Sequence, residues 1–385
     1  MRLERCHNIA DLRRLARKRL PGPVFGYLDG GADDEASLRA NSTAFDRYAL
    51  VPRILVDVGE IDTTTTVLGQ RLDWPLICAP TGMSRLFHHK GEIAVARAAA
   101  AEGMLYSLST LATQSIEDVA AATGGPKMFQ IYVQRDRALL TDLIARCRAA
   151  GYAALCLTVD VPVAGNRERD FYSGMTIPPD LSPAALLDIA RHPRWLWHYL
   201  TSPRFRYANI QHLIEDEKGN LNSLVKYVAA MFDRSVTWKD AEWMIGQWSG
   251  PFAIKGILSV DDARRAADIG ASAVIVSNHG GRQMDGVPAP VDVIADIADA
   301  VGDRIEVILD GGIRRGGHII KALARGATAC MAGRPYLYGL AAGGEPGVAK
   351  ALAILHDEFA RGMALMGARS VAELGPHMIR PAGRP

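Results

Sequence analysis

Short runs of aliphatic residues recur eight times along this chain, and this repetition constrains its fold more than any other feature. The runs cover residues 75–79, 104–108, 128–133, 154–159, 252–255, 273–277, 305–309 and 328–332. Each is apolar at successive positions, as expected of a strand with both faces buried in a parallel sheet. Parallel strands need long crossovers, and most gaps between the runs hold a helical pattern. Strand and helix repeated eight times predict a (β/α)8 TIM barrel.

The helical pattern is a stripe of apolar residues spaced i, i+3, i+4 and i+7. The clearest stripes are Leu140, Leu143, Ile144 and Cys147, and Val291, Ile294, Ala295 and Ala298. An open, doubly wound sheet is the alternative fold for such alternation. The barrel is favoured because the chain has neither a G-x-G-x-x-G fingerprint after its first strand nor a Walker loop.

Two segments lie outside the regular alternation. Residues 1–74 are predicted to form an N-terminal cap, with a helix at 11–20 that Pro21 ends and a β-hairpin around 63–67 below the barrel. About ninety residues separate the fourth strand from the fifth, so we expect a long insertion at 170–250, of a kind that is usually functional. The barrel itself is expected at 75–385, within a single domain spanning 1–385.

Composition excludes several classes of protein. The 44 Lys and Arg against 42 Asp and Glu leave a net charge of +2, too balanced for a nucleic-acid-binding protein. The five cysteines form neither a C-x-x-C pair nor a zinc spacing, which fits a reducing cytoplasm and no bound metal. The first residues lack the apolar core of a signal peptide, and no apolar stretch is long enough to span a membrane. We therefore expect a cytoplasmic α/β protein.

Polar or charged residues follow every one of the eight runs. The carboxyl ends of parallel barrel strands meet at one rim, where barrel enzymes carry their active sites. Polar residues also end strands in many other proteins, but here a lysine, a histidine, an aspartate and several arginines converge on one rim. The candidates include Thr81, Ser109, Gln130, Tyr132, Thr158, Asp160, Lys255, Ser277, His279, Arg282, Asp310, Arg314 and Arg334.

A phosphate site is predicted after the last two strands, where barrels of this kind usually hold one. Paired glycines at 311–312 lead into a predicted helix, and Gly333 follows the next strand. Glycines let backbone N–H groups approach an oxyanion, and a helix N-terminus adds positive potential. Arg314 or Arg334 can add paired donors. Either motif alone also occurs in ordinary loops, so the prediction depends on their coming after consecutive strands.

Three residues at the rim have competing interpretations. Lys255 is either a salt-bridge partner or a fixed positive charge beside an electron-rich ring. His279, flanked by a glycine pair and three residues before Arg282, is a candidate general base rather than a structural histidine. Asp160 either orients this imidazole and stabilises its cationic form or simply caps the strand end.

Four further side chains are candidates for binding a substrate. Arg282 and Arg167 can bind a carboxylate with two parallel hydrogen bonds, although either can also be a surface arginine. Tyr132 and Tyr27 either donate hydrogen bonds to a substrate oxygen or belong to the core.

Three motifs together are specific for a known family. The sequence Ser-Asn-His-Gly-Gly-Arg-Gln at 277–283, with Lys-Gly at 255–256 and Asp-Gly-Gly-Ile-Arg-Arg-Gly at 310–316, resembles the FMN-dependent L-2-hydroxy acid dehydrogenase/oxidase family. That family includes glycolate oxidase, L-lactate dehydrogenase and (S)-mandelate dehydrogenase. The similarity extends from residue 20 to residue 335. It implies a barrel that binds FMN and oxidises a small L-2-hydroxy acid.

The resemblance also implies a role for each candidate residue. The substrate site would consist of the base His279, its partner Asp160, the carboxylate-binding Arg282, Arg167 and Tyr27, and the hydroxyl-binding Tyr132. The flavin ring and ribityl chain would be held by Ala79, Pro80, Thr81, Ser109, Gln130, Thr158, Ser277 and, beside the N1–O2 edge of the ring, Lys255. The ribityl tail and phosphate would be held by Asp310, Gly311, Gly312, Arg314, Gly333 and Arg334. Whether His279 removes the α-hydrogen or the hydroxyl proton is left open.

One departure from the family bears on the substrate. Glycolate-type oxidases often carry Trp in the stretch after the second strand, where this chain has Leu111. That difference favours L-lactate or a bulkier acid over glycolate. We expect L-lactate as the substrate, with (S)-mandelate as the alternative. By resemblance the electron acceptor is a quinone or another respiratory-chain component, and the alternative is an oxidase that forms hydrogen peroxide.

The insertion carries a basic, aromatic segment at 189–214. It contains no Asp or Glu, but it interleaves arginines with Trp195, Trp197 and Tyr199. This pattern suits a surface on anionic lipid headgroups, and the alternative is a barrel lid or an oligomer contact with its aromatic residues packed inward. The stretches 192–195 and 237–240 resemble membrane-associated, quinone-linked members of the family, which implies a peripheral protein on the cytoplasmic face of the inner membrane. The family resemblance also implies a homo-oligomer, a tetramer.

Two other classes of protein compete with this interpretation. A phosphate-binding barrel isomerase or lyase without redox chemistry would be colourless and would leave His279 and Lys255 without a flavin. A non-catalytic barrel that serves as a binding module would leave the charged rim without a role.

Overall fold

Eight parallel strands close into a barrel in the computed structural model, which describes residues 2–134, 136–175, 181–203, 205–210 and 233–383. The strands of the described chain are β1 (Tyr48–Leu50), β2 (Thr65–Val67), β3 (Gln70–Leu72), β4 (Leu76–Thr81), β5 (Leu105–Ser109), β6 (Lys127–Tyr132), β7 (Ala154–Thr158), β8 (Phe252–Ile257), β9 (Ala273–Val276), β10 (Glu306–Asp310), β11 (Ala329–Ala332) and β12 (Ile379–Pro381). The barrel runs β4 through β11 in sequence order, and β11 pairs with β4 to close it. The predicted (β/α)8 fold is therefore confirmed.

Helices cover the outside of the barrel and extend over both of its ends. Those in the described ranges are α1 (Ile9–Arg19), α2 (Gly22–Asp29), α3 (Ala36–Thr43), α4 (Gly91–Ala101), α5 (Ile116–Ala122), α6 (Arg137–Ala149), α7 (Glu168–Ser173), α8 (Pro183–Ala190), α9 (Pro193–Thr201), α10 (Trp238–Trp248), α11 (Val260–Asp268), α12 (Pro290–Val301), α13 (Gly316–Ala324), α14 (Arg334–Gly343) and α15 (Glu345–Met366).

The predicted elements match the structure with small shifts. All eight predicted runs overlap barrel strands, and their ends differ by one or two residues. The stripe predicted on α6 is buried at all four positions. The helix predicted from the second stripe is confirmed as α12, where Val291 and Ile294 are buried and Ala295 and Ala298 are half-buried. Ile297 and Val301 are also buried on this helix. The helix turns its larger aliphatic side chains inward because they have more apolar area to bury.

A hairpin closes the amino-terminal end of the barrel, as predicted. Strands β2 and β3 pair in antiparallel register, and Val67, Leu68 and Leu72 pack with the side chains inside the barrel. The Leu68 amide donates to the Glu306 carboxylate at the start of β10, 2.9 Å away. Burial raises the pKa of that carboxyl group. With the hairpin over this end, the described part of the barrel interior faces its carboxyl-terminal rim.

The insertion after β7 holds α7, α8, α9 and α10, and its residues 176–180, 204 and 211–232 lie outside the described ranges. Some tryptophans of the insertion are packed inward, as expected of a lid or an oligomer contact, and others are exposed, as expected of a lipid-facing surface. Trp248 is buried, and the indole of Trp195 donates to the Leu86 carbonyl at 2.8 Å. Trp197 and Leu200 on α9 are 66% and 69% exposed. In the described parts of the chain, no helix has the length and apolar character to cross a bilayer.

Candidate active site

His279 and Asp160 form a directed pair at the carboxyl-terminal rim. His279 follows β9, and its Nδ1 lies 3.0 Å from Oδ1 of Asp160, which follows β7. Burial alone would raise the pKa of Asp160, but His279 and the Lys255 ammonium outweigh it and hold that pKa below its usual value. An ionised carboxylate can only accept, so Nδ1 carries a proton, and the neutral form of the ring presents its lone pair at Nε2. Nε2 faces the Tyr132 hydroxyl at 3.5 Å.

The backbone fixes the direction of this imidazole. His279 has a left-handed φ of +57°, and the next two glycines also have positive φ. A Cβ on Gly281 would lie 2.5 Å from the amide nitrogen of Leu38, so this turn needs glycine. The His279 amide also donates to the Ser277 hydroxyl at 3.0 Å. A strained backbone is held here by contacts on both sides, as is common where a side chain must be aimed.

Two guanidinium groups lie against the ring of Tyr27. The guanidinium carbons of Arg167 and Arg282 are 5.2 Å and 5.1 Å from its centroid. Burial and the neighbouring Arg167 lower the pKa of Arg282 to about 10. Arg167 approaches Asp170 at 3.2 Å, and burial raises the pKa of that carboxyl group. Two like charges held this close favour a bound anion, because an anion relieves both their desolvation and their repulsion.

Lys255 is a salt-bridge partner in this structure. Its ammonium lies 2.6 Å from the Asp310 carboxylate and donates to the Ser277 hydroxyl at 2.9 Å, and that hydroxyl donates to Asp310 at 2.8 Å. Burial would lower the pKa of Lys255, but Asp310 and Asp160 outweigh it and raise that pKa. The ammonium therefore keeps its positive charge at the mouth of the barrel. The salt-bridge interpretation is confirmed, and the interpretation as a charge beside an electron-rich ring stays a prediction.

The strand ends also present buried polar atoms that can receive a cofactor. Gln130 Nε2 and Thr158 Oγ1 are buried and have no hydrogen-bond partner among the described residues. Gln130 Oε1 accepts from Ser109 at 2.8 Å, and Thr81 lies within 2.8 Å of the Tyr336 hydroxyl. Leaving a buried polar atom unpaired costs about 1–3 kcal/mol, so such atoms at strand ends point to an absent polar ligand. A flavin ring, with donors and acceptors along its edge, fits this arrangement.

The loops after β10 and β11 have the backbone predicted for a phosphate site. Gly311 and Gly312 adopt positive φ, and a Cβ on Gly312 would lie 1.8 Å from the Asn41 carbonyl oxygen. Gly333 precedes α14, and no side chain caps that helix. Arg334 differs from the expectation, because three of its N–H groups donate to backbone carbonyls and only two of five are left for an anion.

The N-terminal segment is bound tightly to the loop after β9. Ala32 donates to the Gly281 carbonyl at 2.8 Å. Arg282 donates to the carbonyl of Gly30 at 2.9 Å, and Arg334 donates to the same carbonyl at 2.8 Å. The N-terminal segment, which is distant in sequence, thus holds residues of the rim in place through hydrogen bonds.

Sequence reasoning missed three residues near the rim. The hydroxyls of Tyr27 and Tyr207 both donate to Met83 Sδ, at 3.2 Å and 3.6 Å. Buried Glu92 accepts from the amides of Ser84 and Thr113 and so ties the loops after β4 and β5 together. The one sequence signal for Met83 was its position shortly after a strand. Its thioether does not titrate, so its chemistry did not suggest a role at the rim. Tyr207 lies within the insertion, and nothing in its neighbours pointed to the rim.

Comparisons with known proteins agree with this geometry. Residues 16–381 match the family described as FMN-dependent dehydrogenase. The L-lactate dehydrogenase of Caulobacter vibrioides is 43% identical over 370 residues, covering 96% of this chain and 96% of that protein. The glycolate oxidase of Spinacia oleracea is 41% identical over 367 residues, covering 95% and 94%. The crystal structure of the monotopic membrane protein (S)-mandelate dehydrogenase superimposes with a TM-score of 0.94 at 37% identity, covering 98% of this chain and 100% of that chain.

A match over most of the chain, with relatives above 40% identity, assigns this protein to the FMN-dependent dehydrogenase family. It is an FMN-dependent oxidoreductase that oxidises a 2-hydroxy acid. This membership confirms the family, the cofactor and the class of reaction that the motifs implied. It excludes the colourless isomerase or lyase and the non-catalytic barrel.

Proposed function

We propose that this enzyme oxidises L-lactate to pyruvate and passes the electrons to a quinone-type acceptor. The observation that carries the proposal is the meeting, at one rim, of the His279–Asp160 pair with two arginines over Tyr27. The first group can take a proton, and the second can hold a carboxylate. Those are the two requirements of a 2-hydroxy acid that is losing two electrons and two protons.

The substrate carboxylate binds between Arg167 and Arg282. The Nη1 amino group of Arg282 already donates to the carbonyls of Tyr27 and Gly30, which fixes the plane of the guanidinium. A carboxylate there can accept charge-assisted hydrogen bonds from both arginines and from the Tyr27 hydroxyl. Positioning by these donors brings the hydroxyl-bearing carbon to the imidazole.

His279 takes one proton from the substrate at Nε2. Asp160 keeps the proton on Nδ1 and stabilises the imidazolium that forms. The Tyr132 hydroxyl, 3.5 Å from Nε2, donates to the substrate hydroxyl oxygen as it becomes a carbonyl. FMN, when bound, would accept the two electrons together with the second hydrogen that the substrate loses.

The strand ends hold the flavin. The unpaired atoms of Gln130 and Thr158 hydrogen-bond the ring edge, together with Ala79, Pro80, Thr81, Ser109 and Ser277. Lys255 places its charge where negative charge builds up on the ring. The phosphate is held by backbone N–H groups at 311–312 and 333, with Asp310, Arg314 and the two free N–H groups of Arg334.

The substrate side chain meets an apolar wall. The Sδ atom of Met83 accepts hydrogen bonds from the hydroxyls of Tyr27 and Tyr207. The Met83 amide donates to the Leu111 carbonyl at 3.1 Å. A methyl group is the smallest side chain that such a wall can desolvate, and this favours L-lactate. (S)-Mandelate is the second candidate, supported by the TM-score of 0.94 with a protein named for that substrate.

The acceptor and the membrane are linked through the insertion. Helices α8 and α9 expose Leu186, Leu187, Trp197 and Leu200. A patch of this kind, beside several arginines, suits peripheral contact with an anionic lipid surface, from which a quinone can be reached. The related structure described as a monotopic membrane protein supports this arrangement. We also propose a homotetramer, which size-exclusion chromatography with light scattering tests.

The test is the visible spectrum of the purified holoenzyme under anaerobic conditions. We expect a yellow protein that L-lactate bleaches, with colour restored rapidly by a soluble quinone and slowly by air. Bleaching by (S)-mandelate but not by L-lactate would contradict L-lactate as the substrate and favour (S)-mandelate. Fast recovery of the colour in air would contradict the quinone-type acceptor and favour an oxidase.

A further inference from the structure

A basic cavity of about 320 Å³ lies away from the barrel mouth. It is enclosed by the end of α1, the loop at 85–89, helix α9 and the end of α14. Phe87 in its wall stacks on Tyr27 with a centroid distance of 6.3 Å, and the carboxylate-binding arginines lie against that same Tyr27 ring. The proposed reaction gives this cavity no role.

The cavity has an excess of positive charge. Five cationic side chains line it, Lys18, Arg19, Arg85, Arg191 and Arg194, and its described lining contains no Asp or Glu. Across the described ranges, none of these five forms an ion pair with a carboxylate within 4.0 Å. Arg19 and Arg85 instead donate to the backbone carbonyls of Ala342 and Pro203. Such a field attracts an anion and repels cations.

Histidines add further hydrogen-bonding groups to the cavity. The ring of His89 stacks on His88 at 4.3 Å and on His198 at 4.2 Å, and all three line the cavity. Burial, with the neighbouring histidines, lowers the pKa of His88 to about 4. His89 Nδ1 is buried and has no hydrogen-bond partner in the described chain. An anion with several oxygens can accept from arginine and from neutral imidazole at once, as phosphate does.

One wall of the cavity is aromatic. Trp195 stacks on Tyr199 at 5.1 Å inside the cavity lining, and the exposed Trp197 and Leu200 lie on the same helix outside that lining. An occupant would therefore have its anionic group among arginines and an apolar part along α9. Glycerophospholipids have this combination, with the phosphate next to acyl chains.

We propose that the cavity binds the phosphate group of an anionic phospholipid. The lipid as the source of that phosphate rests on the membrane contact proposed above, whereas the anion site itself rests on the cavity alone. One bound headgroup would fix the orientation of α9 on the membrane, which a diffuse patch of charge does not do.

Titration calorimetry of the holoenzyme tests the site directly. The probe is dihexanoyl phosphatidylglycerol below its micelle concentration, with inorganic phosphate as the second arm. We expect saturable binding of one lipid per chain, weakened about tenfold in Arg85→Gln and in Arg194→Gln, because each removes one charge-assisted donor. Arg265→Gln is the matched control, since this exposed arginine on α11 loses the same charge away from the cavity.

Each contrary result contradicts a defined part of the proposal. No saturable binding of either probe, or equal weakening by Arg265→Gln, would overturn the anion site. Inorganic phosphate binding as tightly as the lipid would overturn the lipid as source. Flotation with phosphatidylglycerol vesicles, compared with phosphatidylcholine vesicles, tests the membrane contact separately. Bleaching by L-lactate reports the proposed function and should be unchanged in both cavity variants.

Discussion

Replacing Asp160 with asparagine tests the proton-accepting role of His279 most sharply. In the native site the carboxylate accepts from Nδ1 at 3.0 Å and leaves the lone pair on Nε2. In Asp160→Asn the carboxamide can donate to Nδ1, which moves the ring proton to Nε2. The imidazole then presents a proton where it should accept one.

The magnitude follows from two losses. The variant loses a charge-assisted hydrogen bond to the imidazolium, worth about 1.5–3 kcal/mol, and it populates the unproductive tautomer. General-base catalysis contributes roughly 10²–10⁴-fold, and each tenfold is about 1.4 kcal/mol of activation free energy. We therefore expect the rate of flavin bleaching by L-lactate to fall by about 10²–10⁴-fold, with flavin content unchanged.

Anaerobic stopped-flow absorbance is the assay, because it measures substrate oxidation without the electron acceptor. The matched control is Asp285→Asn, in the loop after β9 that carries His279, where the carboxylate accepts from the amides of Ala36 and Ser37 at 3.0 Å and 2.7 Å. That variant should bleach at the native rate. A rate in Asp160→Asn within about threefold of native would refute the assigned pairing.

Three further predictions concern substrate, cofactor and stability. Arg282→Met should raise the L-lactate concentration needed for half-maximal bleaching by at least about tenfold while FMN stays bound; loss of FMN instead would place this arginine in the cofactor site. Gly312→Ala should abolish FMN binding, seen as colourless protein, because the added carbon would collide with the Asn41 carbonyl; a yellow variant would contradict the phosphate assignment. Burial would raise the pKa of Asp29, but Arg13 and Tyr338 outweigh it and lower that pKa, so its stabilisation is complete at neutral pH and should be lost as pH falls below about 4. In unfolding followed by circular dichroism, Asp29→Asn should have a lower free energy of unfolding than the native protein at pH 7. This difference between variant and native protein should become smaller in acid. A difference that stays constant with pH would show that the charge of Asp29 does not contribute to stability.

The strands could be predicted because each is buried on both faces and reads as a continuous apolar run. The rim residues could be proposed for a related reason, since parallel strands in a barrel all end at one side. The partners of those residues were harder to predict. The stacking of Arg167 and Arg282 on Tyr27 joins segments more than a hundred residues apart, and no local pattern encodes it.

What escaped prediction was mainly apolar or packed by tertiary contacts. Met83 has no charge and no motif, and only the two phenol contacts reveal its place at the rim. On α12 the alanines fit the helical spacing, but the larger Ile297 and Val301 determine which face turns inward. The basic cavity combines α1, α9 and the loop after β4, three segments with no sequence relation to one another.

The bonds between the N-terminal segment and the loop after β9 have a consequence for how this enzyme matures. The backbone that aims His279 is bonded to residues about 250 positions earlier, such as Ala32 and Gly30. Contacts of that sequence separation form late, because a long loop must close before they stabilise anything. During synthesis the N-terminal segment emerges first. The loop after β9, to which it binds, is made only after most of the chain has been synthesised. On refolding, secondary structure should therefore recover earlier than activity. Activity should return only when the N-terminal segment has formed its contacts with the loop after β9.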